Sequence, residues 1–315
     1  MRCYLPHRDT GQVTIDPLID VDHLAGWVTQ ATPVTVLDVR WRMTGPAGGG
    51  PAGDGPMGGH APGDSAGAAE FAAGHLPGAV HLDLDSELCG PPGPGGRHPL
   101  PDPARLEAVL RAAGVRQDRP VVVYDAGLPD PTTWSAARTW WTLRWAGHDQ
   151  VYVLDGGYAA WVAAGHPIST TPADPIPGDV TVRPGGLPVL DAAGAAALAT
   201  EGVLLDVRAP ARFRGETEPI DPVAGRVPGA RNLPATQLLA PDGRHVDPGQ
   251  VRAALAGLGA DQPQVPLGAY CGSGVTAAQV VLALHRVGRE DAALYVGSWS
   301  HWITDAARPV AKGAP

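Results

Sequence analysis

The stretch Ala269-Tyr270-Cys271-Gly272-Ser273-Gly274-Val275-Thr276-Ala277 places a cysteine between two different sequence patterns. The short apolar run 266–270 predicts the end of a buried strand, and 275–286 repeats apolar side chains at helical spacing. The glycines let the backbone turn so that amides point inward, and the helix N-terminus adds partial positive charge. A lone cysteine is often a buried structural residue. Strand, glycine turn and helix together favour a thiolate instead, so Cys271 is a candidate nucleophile.

The chain carries one pattern of segments twice. The offset between matched positions falls from 168 (Asp38 to Asp206) to 141 (Gly156 to Gly297), which indicates insertions in the first copy. The first copy has Asp125 where the second has Cys271. The matched segments are VLDVR 36–40 with LLDVR 204–208, HLPGAV 75–80 with RVPGAR 226–231, and VVVYD 121–125 with LGAYC 267–271. The repeat predicts two domains of one fold, of which only the second has the cysteine.

Within each copy, short apolar strands alternate with helical stretches. This alternation predicts an α/β fold, with a mainly parallel sheet flanked by helices in each domain. We expect an N-terminal domain at 1–170, a linker rich in Pro, Thr and Gly at 171–188, and a C-terminal domain at 189–315. The Gly/Pro/Ala-rich run at about 45–69 is expected to be a mobile insertion. The predicted helices are 103–113, 134–145, 191–200, 248–258 and 275–286.

Composition excludes several classes of function. The net charge of −9 provides no basic surface for nucleic acid or an anionic membrane. No apolar run approaches 18 residues, and the polar N-terminus does not have the pattern of a signal peptide. The three cysteines are far apart and predict neither a disulfide framework nor a metal site. We therefore expect a cytoplasmic protein in a reducing compartment, without metal or cofactor.

The ordered set of motifs resembles the two-domain rhodanese family, which comprises thiosulfate and 3-mercaptopyruvate sulfurtransferases. The set consists of the two Asp-Val-Arg segments, GHLPGA 74–79, WWTLR 140–144, LDGG 154–157, RFRG 212–215 and the loop CGSGVT 271–276. The resemblance implies two tandem rhodanese-like domains and an enzyme that carries sulfur as a persulfide on Cys271. The loop is most similar to that of 3-mercaptopyruvate sulfurtransferases, because Gly272 and Ser273 stand where thiosulfate-preferring members usually carry basic residues.

The resemblance implies a small-molecule sulfur donor, with 3-mercaptopyruvate favoured and thiosulfate as the alternative. It implies an acceptor that is cyanide, a thiol or thioredoxin. A rhodanese-like binding protein without catalysis is the alternative from another class, and the intact loop argues against it. A phosphatase of this fold would need an arginine six positions after the cysteine, where this chain has Ala277.

The resemblance also implies roles for individual residues. Arg212 matches the arginine that binds the donor anion, and Ser273 with His75 matches a proposed proton relay. The family usually carries a second arginine nine residues after the first, but this chain has Asp221 there, so Arg226 is the candidate replacement. The loop residues expected to surround the donor sulfur are Gly272, Gly274, Val275 and Thr276.

Overall fold

Two five-stranded parallel sheets, one in each half of the chain, form the framework of the molecule. The computed structural model describes residues 16–43, 65–127 and 134–314. The first sheet has the order β1-β5-β4-β2-β3 and the second β6-β10-β9-β7-β8, so the two halves match strand for strand. The strands are β1 Leu18–Ile19, β2 Thr35–Asp38, β3 Val80–His81, β4 Val121–Tyr124, β5 Val151–Leu154, β6 Val189–Leu190, β7 Val203–Asp206, β8 Arg231–Asn232, β9 Leu267–Tyr270 and β10 Ala293–Tyr295. The predicted α/β fold with two similar domains is confirmed.

Helices flank both sheets, and the five helices predicted from periodicity lie within two residues of their expected bounds. Several start at an aspartate or serine whose side chain accepts a hydrogen bond from a first-turn amide, as at Asp191 and Asp247. The helices are α1 Val21–Thr29, α2 Ala66–Ala73, α3 Pro103–Ala112, α4 Ser135–Trp145, α5 Gly157–Ala163, α6 Ala192–Glu201, α7 Pro210–Phe213, α8 Pro248–Ala256, α9 Val275–His285 and α10 Ser298–Trp302. Of the insertion expected at 45–69, residues 45–64 lie outside the described residues, and 66–69 begin α2. Among the described residues, no helix is long and apolar enough to cross a membrane.

The two halves meet where α4 packs against α9. Every residue of α9 except Thr276 is buried, and a helix that is apolar all round is stable only when it is covered on all sides. Trp140 and Trp141 of α4 are also fully buried, and one apolar core contains side chains from both halves. This packing fixes the first turn of α9, and the cysteine before it, at the boundary between the two halves.

Candidate active site

Cys271 lies directly after β9 and is 3% exposed. The amide of Gly274 donates a hydrogen bond to its sulfur at 3.1 Å. We call residues 271–276 the cysteine loop. Two backbone hydrogen bonds tie this loop to α10: the amide of Trp299 donates to the Cys271 carbonyl at 3.0 Å, and the amide of Ser300 donates to the Gly272 carbonyl at 2.8 Å. The sulfur is therefore held against a backbone amide by a loop with little freedom to move.

Gly274 has the conformation that makes this contact possible. Its φ is +81°, and a Cβ atom there would lie 2.3 Å from the Val296 carbonyl oxygen, so no other residue fits without a shift of backbone. Val275 and Thr276 then begin α9, and the first amides of a helix have no intrahelical partner. Ser273, between the glycines, is 7% exposed. The loop thus directs a hydrogen-bond donor and a helix N-terminus toward one sulfur atom, an arrangement that stabilises negative charge there.

Ser298 supports the loop from α10 and was not expected from the sequence. Its hydroxyl accepts a hydrogen bond from the Cys271 amide at 3.1 Å and donates to the Tyr295 carbonyl at 2.8 Å. Its φ is +53°, an uncommon value for a residue other than glycine. The matched position in the first half is Gly157, with φ +61°. The repeat itself points to Ser298, because the half with the cysteine has serine where the half without it has glycine.

Arg212, at the end of α7, lies beside the cysteine loop as the resemblance implied. Its Nη2 atom is 3.6 Å from the position that a Cβ on Gly272 would occupy. The same atom donates to Glu218 at 2.6 Å and to Asp221 at 3.2 Å. Two carboxylates therefore hold the guanidinium in place over the residue that follows the cysteine.

A second guanidinium reaches the same place from the N-terminal half. Arg97 pairs with Asp221, and its Nη2 atom lies 2.9 Å from the position of a Cβ on Gly272. The Arg97 amide donates to the Ser300 hydroxyl at 3.1 Å. The sequence does not predict a site position for Arg97, because the surrounding Gly/Pro-rich segment has no periodicity.

His75 and Arg226, which were expected at the site, contact other parts of the chain. His75 is fully buried, and its ring nitrogens lie 2.9 and 3.1 Å from the carbonyl oxygens of Phe71 and Thr171. Arg226 donates to the Gly313 carbonyl at 2.8 Å and its guanidinium lies over the Phe213 ring. The structure places neither beside the cysteine loop, because each pairs with the segment that follows the last helix of its own half. Arg226 does not fill the place of an arginine at 221.

His98 directly follows Arg97 in the chain. Its Nε2 lies 2.9 Å from an Asp85 carboxylate oxygen, so Nε2 carries a proton and Nδ1 keeps a lone pair. Burial lowers the pKa of His98, and Nδ1 has no hydrogen-bond partner in the described part of the chain. Its carbonyl accepts from Nη2 of Arg138 at 3.0 Å, and Nη1 of Arg138 lies 2.7 Å from the position of a Cβ on Gly274. The Arg138 guanidinium therefore links the backbone carbonyl of His98 to the cysteine loop.

The remaining cysteines differ from Cys271. Cys89 is buried, and desolvation raises the pKa of its thiol to about 11, so it is protonated at neutral pH. Cys3 lies outside the described residues. Among residues 16–43, 65–127 and 134–314, no group of three or more His, Cys, Asp or Glu side chains is arranged to hold a metal ion.

Known proteins are similar to this chain in both sequence and fold. The rhodanese-like domain family matches residues 63–164 and 191–305. SseB of Mycobacterium tuberculosis, named as a thiosulfate sulfurtransferase, is 43% identical over 300 residues, which cover 94% of this chain and 97% of its own. A Pseudomonas aeruginosa protein named as a 3-mercaptopyruvate sulfurtransferase is 48% identical over 254 residues, with 79% and 88% coverage.

A solved structure gives the same result. The crystal structure of SseA from Escherichia coli, described as a 3-mercaptopyruvate sulfotransferase, has a TM-score of 0.74 at 29% identity. It covers 91% of this chain and all of its own. Since the family matches both halves, and a relative spans nearly the full length, this chain belongs to the rhodanese family.

Proposed function

We propose that this protein is a sulfurtransferase that moves one sulfur atom from a small donor to a thiophilic acceptor through a persulfide on Cys271. The observation that carries the proposal is the 3.1 Å hydrogen bond from the Gly274 amide to the Cys271 sulfur. An amide aimed at sulfur stabilises a thiolate before the reaction and a persulfide anion after it. The relatives named as sulfurtransferases support the same activity.

The favoured donor is 3-mercaptopyruvate. The Cys271 thiolate attacks the donor sulfur, the carbon–sulfur bond breaks, and its electron pair passes to carbon as the enolate of pyruvate. The hydrogen of the donor thiol moves to that carbon, so pyruvate leaves and Cys271 remains as a persulfide anion. Cyanide, a cellular thiol or thioredoxin then takes the outer sulfur and restores the thiolate. With cyanide the product is thiocyanate, and atoms and charge balance in both steps.

The charges around the loop favour a monoanionic donor. The guanidiniums of Arg97 and Arg212 are offset by the carboxylates of Glu218 and Asp221. The Arg138 guanidinium beside Gly274 adds one positive charge, which suits a monoanion, whereas a dianion such as thiosulfate would need two. Thiosulfate is the second candidate donor, because the relative from Mycobacterium tuberculosis is named for it.

Arg212 and Ser273 receive roles in this proposal. Arg212 binds the donor anion, since its guanidinium lies over Gly272. Ser273, two residues after Cys271 in the loop, moves the proton between sulfur and carbon, whereas the ring nitrogens of His75 lie against the backbone carbonyls of Phe71 and Thr171.

The proposal also includes the division at 1–170, 171–188 and 189–315, since the first sheet uses strands between residues 18 and 154 and the second between 189 and 295. A cytoplasmic setting belongs to the same proposal. A reducing compartment keeps Cys271 available for reaction.

Side-by-side turnover with 3-mercaptopyruvate and thiosulfate, with cyanide as acceptor, tests the function. We expect thiocyanate from both donors, a higher kcat/KM for 3-mercaptopyruvate, and no product from Cys271→Ser. A higher kcat/KM for thiosulfate would overturn the donor and leave the sulfurtransferase intact. If neither donor gives thiocyanate or a persulfide on Cys271, the binding protein is the correct alternative.

A further inference from the structure

We propose that Arg97, from the N-terminal half, forms the carboxylate-binding site of the donor together with Arg212, and so determines the preference for a 2-oxo acid. This inference rests on the proposed function and adds a specificity residue to it. The two guanidiniums approach Gly272 from different halves, with Nη2 atoms 2.9 Å (Arg97) and 3.6 Å (Arg212) from the position of its absent Cβ. The donor site is then built by both halves.

The backbone of Arg97 is fixed to the same residue that fixes the cysteine loop. Gly93 and Gly96 form a tight turn with reciprocal amide-to-carbonyl bonds of 3.0 and 2.9 Å. Arg97 follows this turn, and its amide donates to the Ser300 hydroxyl, while the Ser300 amide donates to the Gly272 carbonyl. Because Ser300 binds both segments, it sets the distance between the Arg97 backbone and the cysteine loop.

The side chain of Arg97 has capacity for a ligand. It is 13% exposed, its Nε atom is buried without a hydrogen-bond partner among the described residues, and its second contact to Asp221 is long at 3.5 Å. A guanidinium offers five N–H donors in a plane that matches a carboxylate. A donor carboxylate above Gly272 would therefore meet Nη2 of Arg97, the atom whose contact to Asp221 is long.

Asp221 acts as a positioning residue between the two guanidiniums. Its carboxylate is 2% exposed, with one oxygen toward Arg97 and the other 3.2 Å from Arg212. A carboxylate shared in this way keeps two like charges at a fixed spacing. This arrangement also explains why position 221 is an aspartate, because an arginine there would be repelled by the like charge of Arg97. Arg97 thus supplies the positive charge that was expected at position 221, and Asp221 supplies its negative partner.

The test compares a donor with and without the carboxylate. Purified Arg97→Ala is assayed with 3-mercaptopyruvate and with mercaptoacetone, which keeps the thiol and ketone but lacks the carboxylate. Where mercaptoacetone turns over too slowly, its inhibition constant against 3-mercaptopyruvate replaces kcat/KM. Arg252→Ala is the matched control, because Arg252 lies exposed on α8.

We expect Arg97→Ala to lower kcat/KM for 3-mercaptopyruvate by about tenfold or more, mainly through KM. The value for mercaptoacetone should change less than about twofold, and Arg252→Ala should match the wild type with both compounds. Equal losses with both compounds would show a structural role only, and no loss with either would exclude Arg97 from the site. Either result overturns the inference while the wild type still transfers sulfur, which separates it from a failure of the proposed function.

The charge exchange supplies a second, independent measurement. Arg97→Asp alone places three carboxylates around Arg212 and should abolish use of 3-mercaptopyruvate. Adding Asp221→Arg restores an opposite-charge pair and should recover at least about tenfold in kcat/KM. If the double variant, folded by circular dichroism, is no better than Arg97→Asp alone, the pair does not act as proposed.

Discussion

Replacing Gly274 with alanine tests whether the amide that contacts the Cys271 sulfur supports catalysis. The φ of +81° costs an alanine about 1–2 kcal/mol. Its Cβ would also lie 2.3 Å from the Val296 carbonyl oxygen, so the loop backbone must move. The hydrogen bond from Gly274 to the sulfur is then lost. A bond of this kind to a charged group is worth about 1.5–3 kcal/mol, so persulfide formation should slow by about 10- to 150-fold.

Gly288, just beyond the other end of α9, provides the matched control. Its φ is +85°, but a Cβ there would meet no atom within 4 Å. Gly288→Ala should lose the same 1–2 kcal/mol or so of unfolding free energy and keep the wild-type rate. Urea denaturation measures the first quantity, and single-turnover release of pyruvate measures the second. A wild-type rate in Gly274→Ala, or an equally slow Gly288→Ala, would refute the reasoning.

Three further predictions concern other residues. Mass spectrometry should find no persulfide in Cys271→Ser and the normal persulfide in Cys89→Ser, because burial keeps the Cys89 thiol protonated. A persulfide on Cys89 would contradict this. Ser298→Gly relieves the φ of +53° but removes the hydroxyl that holds the Cys271 amide. Persulfide formation should therefore slow, while the unfolding free energy measured in urea is maintained. An unchanged rate would count against this role of Ser298. Burial lowers the pKa of His285 from 6.5 to about 4, so the folded state binds fewer protons than the unfolded state in that window. The contribution of His285 to the unfolding free energy is therefore complete above pH 6.5 and falls by up to about 3 kcal/mol toward pH 4. Urea denaturation should show a smaller loss of stability over this range in His285→Leu, and an equal loss would contradict the shift.

Local patterns predicted much of the fold. The strand before Cys271 and the helix after it were readable because apolar side chains recur at one spacing and glycines mark the turn between them. The repeat predicted two similar sheets, since the same strand segments occur twice in the same order. Arg212 also lies by the loop, as the motif around it implied.

Contacts between the halves could not be predicted in the same way. Arg97 reaches the cysteine loop only because the Gly/Pro-rich segment 90–98 docks on α10, and no periodicity encodes docking. The repeat also bears on His75. It occupies the same place in the first copy as Arg226 in the second, and equivalent positions of a repeat lie in equivalent places, here in bridges to Ser169 and Ala311. The two residues therefore do not meet at a single active site.

The packing of α4 against α9 has a consequence for how such a duplicated chain evolves. The first half has Asp125 where the second has Cys271, yet its helix α4 packs against the buried α9, where the Trp140 ring lies 5.1 Å from the His285 ring. Deleting that half would expose α9 to water and leave a surface prone to self-association. Selection for activity in the second half thus acts on the buried residues of the first, and the non-catalytic copy is retained as the inner wall of the catalytic one.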